Sequence, residues 1–307
     1  MPPPPRRIGI GACLGHHLLD ENVDSRCLPP DFDVGSNMFE VLNASPRVGS
    51  IIRTTKQEMV DGTHAAEIRR LLPERSALVF PQMHLSIEEQ LAFAATIGEI
   101  FLVGGKEVQK ISMDPEINPV ADYTRGAFYW HIDGANDDVP AKATMLNCRI
   151  LADEGTGDTM IANTYAAYAD LPEEDKRLLG KLRARHCLES TQRMINPDPT
   201  YAQLMRWQTH TSRFHPLVWH HRSGHKSLLI GATAYYIEGM GFEEGRALLC
   251  RLQEFATQPQ YVYRHKWAVG DFLLFDNTGT MHKAAPYDLN SKRLMDRSTL
   301  RGEESIA

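Results

Sequence analysis

The sequence predicts a mostly β protein with flanking helices, built on a jelly-roll or cupin-like double sheet. From about residue 127 onward the chain breaks into short apolar runs separated by turn residues, the texture of packed antiparallel sheets rather than of a parallel α/β fold. Only two helical stretches interrupt those runs. The composition is ordinary for a globular chain: 307 residues, 42% hydrophobic and 23% charged, enough to fill one large core without disulfide staples.

The elements follow in order. Residues 1–40 hold six of the eighteen prolines and little periodicity, so they read as an irregular N-terminal extension to a single domain over 41–307. Order is expected from near Val48. Thr63 is placed to cap a short helix that Pro73 would stop. Ser76 to Phe80 reads as a buried strand. Ser86-Ile-Glu-Glu89 is a capping box, after which Ile87, Leu91, Ala94 and Ile97 share a helical face until Gly98. Strand-like runs follow at 127–133, 143–151, 157–163, 215–221, 227–231, 261–267, 270–276, 280–286 and 293–300. One intervening helix begins at Leu171-Pro172-Glu173-Glu174, with proline at its first position. The other spans 243–256 and turns Leu248, Leu249, Leu252 and Phe255 inward.

Charge and cysteine usage narrow the function classes. Lys and Arg number 33 against 39 Asp and Glu, a net charge of −6, which supplies neither a basic surface for nucleic acid nor a cationic patch for membranes. A small-molecule substrate is the expected partner. Cys13, Cys27, Cys148, Cys187 and Cys250 are dispersed, odd in number and form no C-x-x-C pair, so reduced thiols in a cytoplasmic protein are expected. No apolar run reaches the length of a membrane span. The start, with Arg6-Arg7 before a short glycine-broken stretch and His16-His17, only faintly mimics a twin-arginine signal.

The chemistry sits at His131-Ile132-Asp133, the end of the run Ala127–Asp133. Residues i and i+2 of a strand project to one face, which would bring an imidazole and a carboxylate together. With a second histidine from a distant strand they would form the 2-His-1-carboxylate set that suits Fe(II) and leaves positions open. Alone, H-x-D is more often a strand-end histidine beside a turn carboxylate. Of the thirteen histidines His282 has the strongest context, because it follows Trp267–Met281, a strand, a turn and the start of another strand.

Over Ser76–Gly302 the chain resembles the taurine dioxygenase family of Fe(II)/2-oxoglutarate oxygenases, which includes the 2,4-dichlorophenoxyacetate oxygenases. The matching stretches occur in family order: Ala77–Phe80, Phe93–Glu99, Trp130-His-Ile-Asp133, Gly157-Asp-Thr159 and Tyr165–His186. They continue with His215–Val218, Gly270–Asn277, His282 and Arg293–Arg297. The resemblance implies a double-stranded β-helix, with His131, Asp133 and His282 as metal ligands. It places Arg293, eleven residues after His282, and Thr159 at the far carboxylate of 2-oxoglutarate. It also implies O₂ as oxidant, release of succinate and CO₂, hydroxylation, cleavage or desaturation of a small organic substrate, and a dimeric or tetrameric assembly.

Arg297 lies about 13 Å along the strand from Arg293 on the same face, available to a substrate anion. Val103 falls where the taurine enzymes carry a sulfonate-binding histidine. With Ala127, Phe128, Tyr129 and Trp130 it implies a substrate larger and less polar than taurine, and taurine itself as a poor one. His220, His221 and His225 read as exposed hairpin residues, His186 as the end of a helix, and Asp137-Asp138 as a polar loop. Two rivals keep the fold and change the function. A non-catalytic cupin-like binding protein would have no use for Arg293 and Arg297. A zinc hydrolase on the same ligands would need a nearby general base.

Overall fold

The computed structural model describes residues 39–153 and 155–306. The expected extension over 1–40 therefore lies, but for its last two residues, outside the described residues. Order begins before Val48. Strands β1 (Glu40–Asn43) and β2 (Ser50–Arg53) form a hairpin, and helix α1 (Lys56–Asp61) follows with a capping box between Thr55 and Glu58. Helix α2 (Ala65–Arg75) corrects the expectation at Thr63 and Pro73. The Thr63 hydroxyl is taken by Asp61, so the helix starts after His64 without a side-chain cap. Pro73 falls in its last turn and removes one N–H from the ladder, yet the helix runs on to Arg75, with the Ser76 N–H still donating to the Leu72 carbonyl. Strand β3 (Ala77–Phe80) and helix α3 (Ile87–Ile97), with its capping box at Ser86 and Glu89, stand where the sequence places them.

The strand β4 (Gln109–Ile111) and helix α4 (Ala121–Thr124) come next. Residues 127–133 do not form a strand: a 3₁₀ turn occupies Arg125–Phe128 and a single bridge follows at His131. Then come β5 (Ala143–Ile150), β6 (Thr159–Asn163), α5 (Thr164–Ala169), α6 (Glu173–Leu179) and β7 (Arg183–Cys187). Pro172 is the N-cap of α6 rather than its first residue. His186 lies within β7, not at a helix end. The short polar helices α7 (Leu188–Ile195) and α8 (Tyr201–Gln208) escape the apolar-run reading, although Thr200 and Gln203 form a legible capping box.

The expected run 215–221 divides between β8 (Ser212–Pro216) and β9 (Val218–His220), which pair with different strands. Strands β10 (Lys226–Leu228) and β11 (Ala234–Ile237), helix α9 (Phe242–Ala256), and strands β12 (Val262–His265), β13 (Phe272–Asp276), β14 (Thr280–Ala284) and β15 (Leu294–Leu300) complete the order.

A seven-stranded sheet runs β1-β2-β3-β13-β5-β15-β4, and β12-β6-β14 and β11-β7-β8 form smaller sheets. The runs in β3 and β13 are continuous because both faces of the large sheet are covered. Leu78, Phe80, Phe272 and Leu274 pack under α2 and α3, where Phe80, Phe93 and Phe272 meet edge to face. The alternate residues Ala77, Val79, Leu273 and Phe275 face Ile161 and Tyr263 of β6 and β12. The jelly-roll core thus lies between these sheets, and the candidate site opens at its edge where β14 meets the H-x-D segment.

Candidate metal centre and adjoining cavity

β14 holds His282 in place by pairing along its length with β6. His131 is then hung opposite it: its N–H donates to the His282 carbonyl at 3.0 Å, and the His282 N–H donates back at 2.9 Å. Directly opposed residues send their side chains to one side, and the two imidazole centres are 4.1 Å apart. The Nδ1–H of His131 donates to the Tyr129 carbonyl at 2.8 Å, which leaves Nε2 as the lone-pair nitrogen.

Asp133 is held by Asn277. Its N–H donates to Asn277 Oδ1 at 2.9 Å, and its carbonyl accepts from Asn277 Nδ2 at 2.8 Å. The Thr144 hydroxyl donates to Oδ2 at 3.1 Å. The carboxylate then stands 3.7 Å from His131 Nε2 and 3.8 Å from His282 Nε2. One ligand atom from each of the three residues lies within 4.8 Å of the others, a spacing and donor set that fit Fe(II). Burial opposes ionisation of Asp133, but Arg297, His282, His131 and the Thr144 hydrogen bond outweigh it and hold the carboxyl well below its usual range. Burial, with help from His131, pushes His282 down to about 3. Both groups are ready for a cation at neutral pH.

A cavity of about 580 Å³ opens beside these three side chains and is also lined by Thr159, Arg293, Arg297 and Val103. Arg293, just before β15, is only 3% exposed. Its guanidinium carbon stands 5.0 Å from the centre of the Tyr287 ring, and its Nε has no hydrogen-bond partner among the described residues. Gly157, at φ +72°, gives it room: a Cβ there would lie 3.1 Å from that Nε and 2.8 Å from Ala152 Cβ. Thr159 accepts from Trp267 Nε1 at 3.0 Å, so its own proton remains to be given. Arg297 lies 3.6 Å from Asp133, and Gln109, its direct partner across β4 and β15, touches its Nε at 3.5 Å.

Other nominated residues fall elsewhere. Tyr129 donates its hydroxyl to the Met194 carbonyl and lines a smaller cleft with Arg125, Phe128 and Tyr287. Trp130 is buried in the core beneath Lys283, and neither ring lines the triad's cavity. His220 is exposed, but His221 is not: it sits between Glu304 and Ser227, each at 2.8 Å, because the hairpin folds against residues 303–306. Asp138 is bound to Arg213. Asn277, Thr144, Tyr287 and Trp267 join the site without a motif of their own. Asn277 and Trp267 stand in the stretch that leads to His282, and no local pattern marks the other two.

The fold and the three converging side chains define a site of the non-haem iron oxygenase class. Residues 43–299 match the family described as taurine catabolism dioxygenase TauD, TfdA family, and the chain belongs to that family; it is an oxidoreductase, a dioxygenase. The alpha-ketoglutarate-dependent 2,4-dichlorophenoxyacetate dioxygenase of Burkholderia sp. (strain RASC) is 33% identical over 281 residues, 83% of this chain and 91% of that one. The (S)-phenoxypropionate/alpha-ketoglutarate-dioxygenase of Sphingobium herbicidovorans is 31% identical over 278 residues, 87% and 96% of the two chains. The crystal structure of AAD-2 in complex with Mn(II) and N-oxalylglycine matches with a TM-score of 0.75 at 27% identity, covering 88% of this chain and all of that one.

Proposed function

We propose that His131, Asp133 and His282 hold Fe(II), that Arg293 and Thr159 hold the far carboxylate of 2-oxoglutarate, and that Arg297 receives the carboxylate of a largely apolar, aryloxyalkanoate-like substrate. As a dioxygenase of this family the chain uses Fe(II), 2-oxoglutarate and O₂. The metal, when bound, couples oxidative decarboxylation of 2-oxoglutarate to succinate and CO₂ with oxidation of the substrate.

The observation that carries this reading is the buried, unpartnered Nε of Arg293 in the same cavity as the triad. A guanidinium shielded from water and left without an anion is unfavourable, and a carboxylate offers it two parallel hydrogen bonds. Thr159 would add a third donor. For the substrate, Asp133 is the only carboxylate among the cavity's described lining residues, whereas Lys106, Lys283 and Arg297 bring positive charge and Val103, Ile117 and Val120 bring apolar surface. That combination suits an anionic head on an apolar body, and the two named relatives act on acids of that kind. Oxidation at a carbon bearing an ether oxygen would yield a product that falls apart, giving net cleavage. The same lining disfavours a zinc hydrolase, because no second carboxylate is present to act as general base.

Anaerobic addition of Fe(II) and 2-oxoglutarate tests the cosubstrate half: a weak visible charge-transfer absorption is expected, and its absence sinks the reading. Substrate-stimulated succinate release across aryloxy acids, sulfonates, sulfate esters and amino-acid derivatives tests the other half. A cytoplasmic dimer or tetramer accompanies this proposal. No helix among the described residues is long and apolar enough to cross a membrane, and light scattering reads the assembly.

A further inference from the structure

One wall of the cavity carries polar groups that the chemistry above does not use. Helix α7 turns Leu188, Thr191 and Gln192 toward the cavity, positions three and four residues apart on one face. Thr191 is 8% and Gln192 7% exposed, and neither side chain has a hydrogen-bond partner among the described residues. The cavity's other side-chain amides are committed. Asn118 donates to the Ser112 carbonyl and Thr124, Asn136 to the Thr211 carbonyl, and Gln109 to the Lys106 carbonyl. Gln192 is the uncommitted one.

The wall is held in place from behind. Glu189 accepts from Arg193 at 2.8 Å and from Gln208 at 3.0 Å, tying α7 to itself and to α8. The Tyr129 hydroxyl grips the Met194 carbonyl at 2.9 Å. Gly126 packs so closely that a Cβ there would lie 3.0 Å from Thr191 Cγ2. Arg297 and Gln109, by contrast, belong to the large sheet, whereas α7 continues from β7 in a smaller one. The anion site and the Gln192 amide therefore sit on different walls. A halogenated ring laid against α7 would leave the amide dry and unpaired, while a hydroxyl or amide group would satisfy it.

We infer that Gln192, assisted by Thr191, is a specificity-determining residue that receives a hydrogen-bonding group on the end of the substrate remote from its carboxylate. The substrate class is then an aryloxy acid with a hydroxyl- or amide-bearing tail, not a chlorinated one. This rests on the assignment of the substrate carboxylate to Arg297.

The test compares 4-hydroxyphenoxyacetate with 4-chlorophenoxyacetate in succinate release by the iron-loaded enzyme. Wild type should favour the hydroxyl compound by about tenfold or more in kcat/KM, since sites built to hydrogen-bond a group reject analogues that lack it. Gln192→Leu should lose that factor for the hydroxyl acid and keep or raise the rate with the chloro acid, so that the preference inverts. A merely structural role would lower both together, and that result overturns the inference. So does a wild-type preference for the chloro acid, which decides the matter even if the variant fails to fold. Silence from both acids, with the charge-transfer band intact, removes the carboxylate reading and this inference with it.

Discussion

Arg293 and Arg297 stand four residues apart and line one cavity, yet their surroundings have little in common. Arg293 is shut in by Tyr287, Gly157 and the segment that carries Thr159, and its Nε waits for an anion that the described residues do not provide. Arg297 is 23% exposed, shares its charge with Asp133 and is steadied by Gln109. Beyond Gln109 the lip turns back through Gly104 and Gly105, both at positive φ, which lets Val103 and Lys106 bond to each other. A buried cation whose Nε is left unpaired beside Tyr287 suits its end of the cavity to one fixed ligand. A part-exposed cation that already shares its charge with Asp133 leaves room for different ones. In the proposed assignment the 2-oxoglutarate end is therefore the one least able to vary.

The largest effect should come from the metal centre between these two ends. His131→Ala, Asp133→Ala and His282→Ala should each abolish iron-dependent succinate formation while the folded circular dichroism spectrum persists. His220→Ala, an exposed change, should bind iron normally. Wild-type turnover in any of the three would show that the triad is wrongly drawn.

The next effect separates the arginines. Arg293→Leu removes charge-assisted hydrogen bonds of about 1.5–3 kcal/mol each, so the apparent affinity for 2-oxoglutarate should fall by roughly one to two orders of magnitude with iron retained. Arg297→Leu should instead raise KM for the acid substrate. Finding the two phenotypes exchanged would reverse the assignment of the ends.

A smaller effect probes the support behind the substrate wall. His186 Nδ1 contacts the hydroxyl of Thr233, a cavity residue, at 2.9 Å, and burial lowers the imidazole to about 3 from an ordinary 6.5. The folded protein keeps His186 neutral while the unfolded chain takes up a proton. Its contribution is therefore full above about pH 6.5 and is lost progressively toward pH 3, by about 2 kcal/mol between pH 7 and pH 5. Denaturant midpoints at the two pH values, for wild type and His186→Gln, measure this. An equal pH dependence in both proteins would exclude His186 as its source. The smallest expected signal is none: with the Asp133 carboxylate in the proposed ligand set, mass spectrometry should find no chlorinated product when chloride is present.

Much of this site was legible before folding. H-x-D supplies two donors two residues apart, and the apolar run before Asp276 with the turn after it places His282 on the next strand of the chain. The capping box at Ser86 marks α3, and the continuous runs of β3 and β13 report that both faces are buried. Periodicity failed where polar neighbours governed the backbone. The Ala127–Asp133 run has strand composition, yet it becomes a 3₁₀ turn and one bridge. The Asp133 N–H and carbonyl are satisfied by Asn277, 144 residues away, rather than by a neighbouring strand.

The sequence by itself determined which chemical groups the protein could bring to a metal and to a dicarboxylate, because residue type and short spacing decide donor chemistry. Only the tertiary structure decided which of them share a cavity. It buried His221 against Glu304 and turned Trp130 and Tyr129 away. It opposed His131 to His282 and turned the amide of Gln192 to the cavity beside them. Those outcomes depend on contacts between residues far apart in the chain, and local pattern reports that a face is buried without naming what buries it.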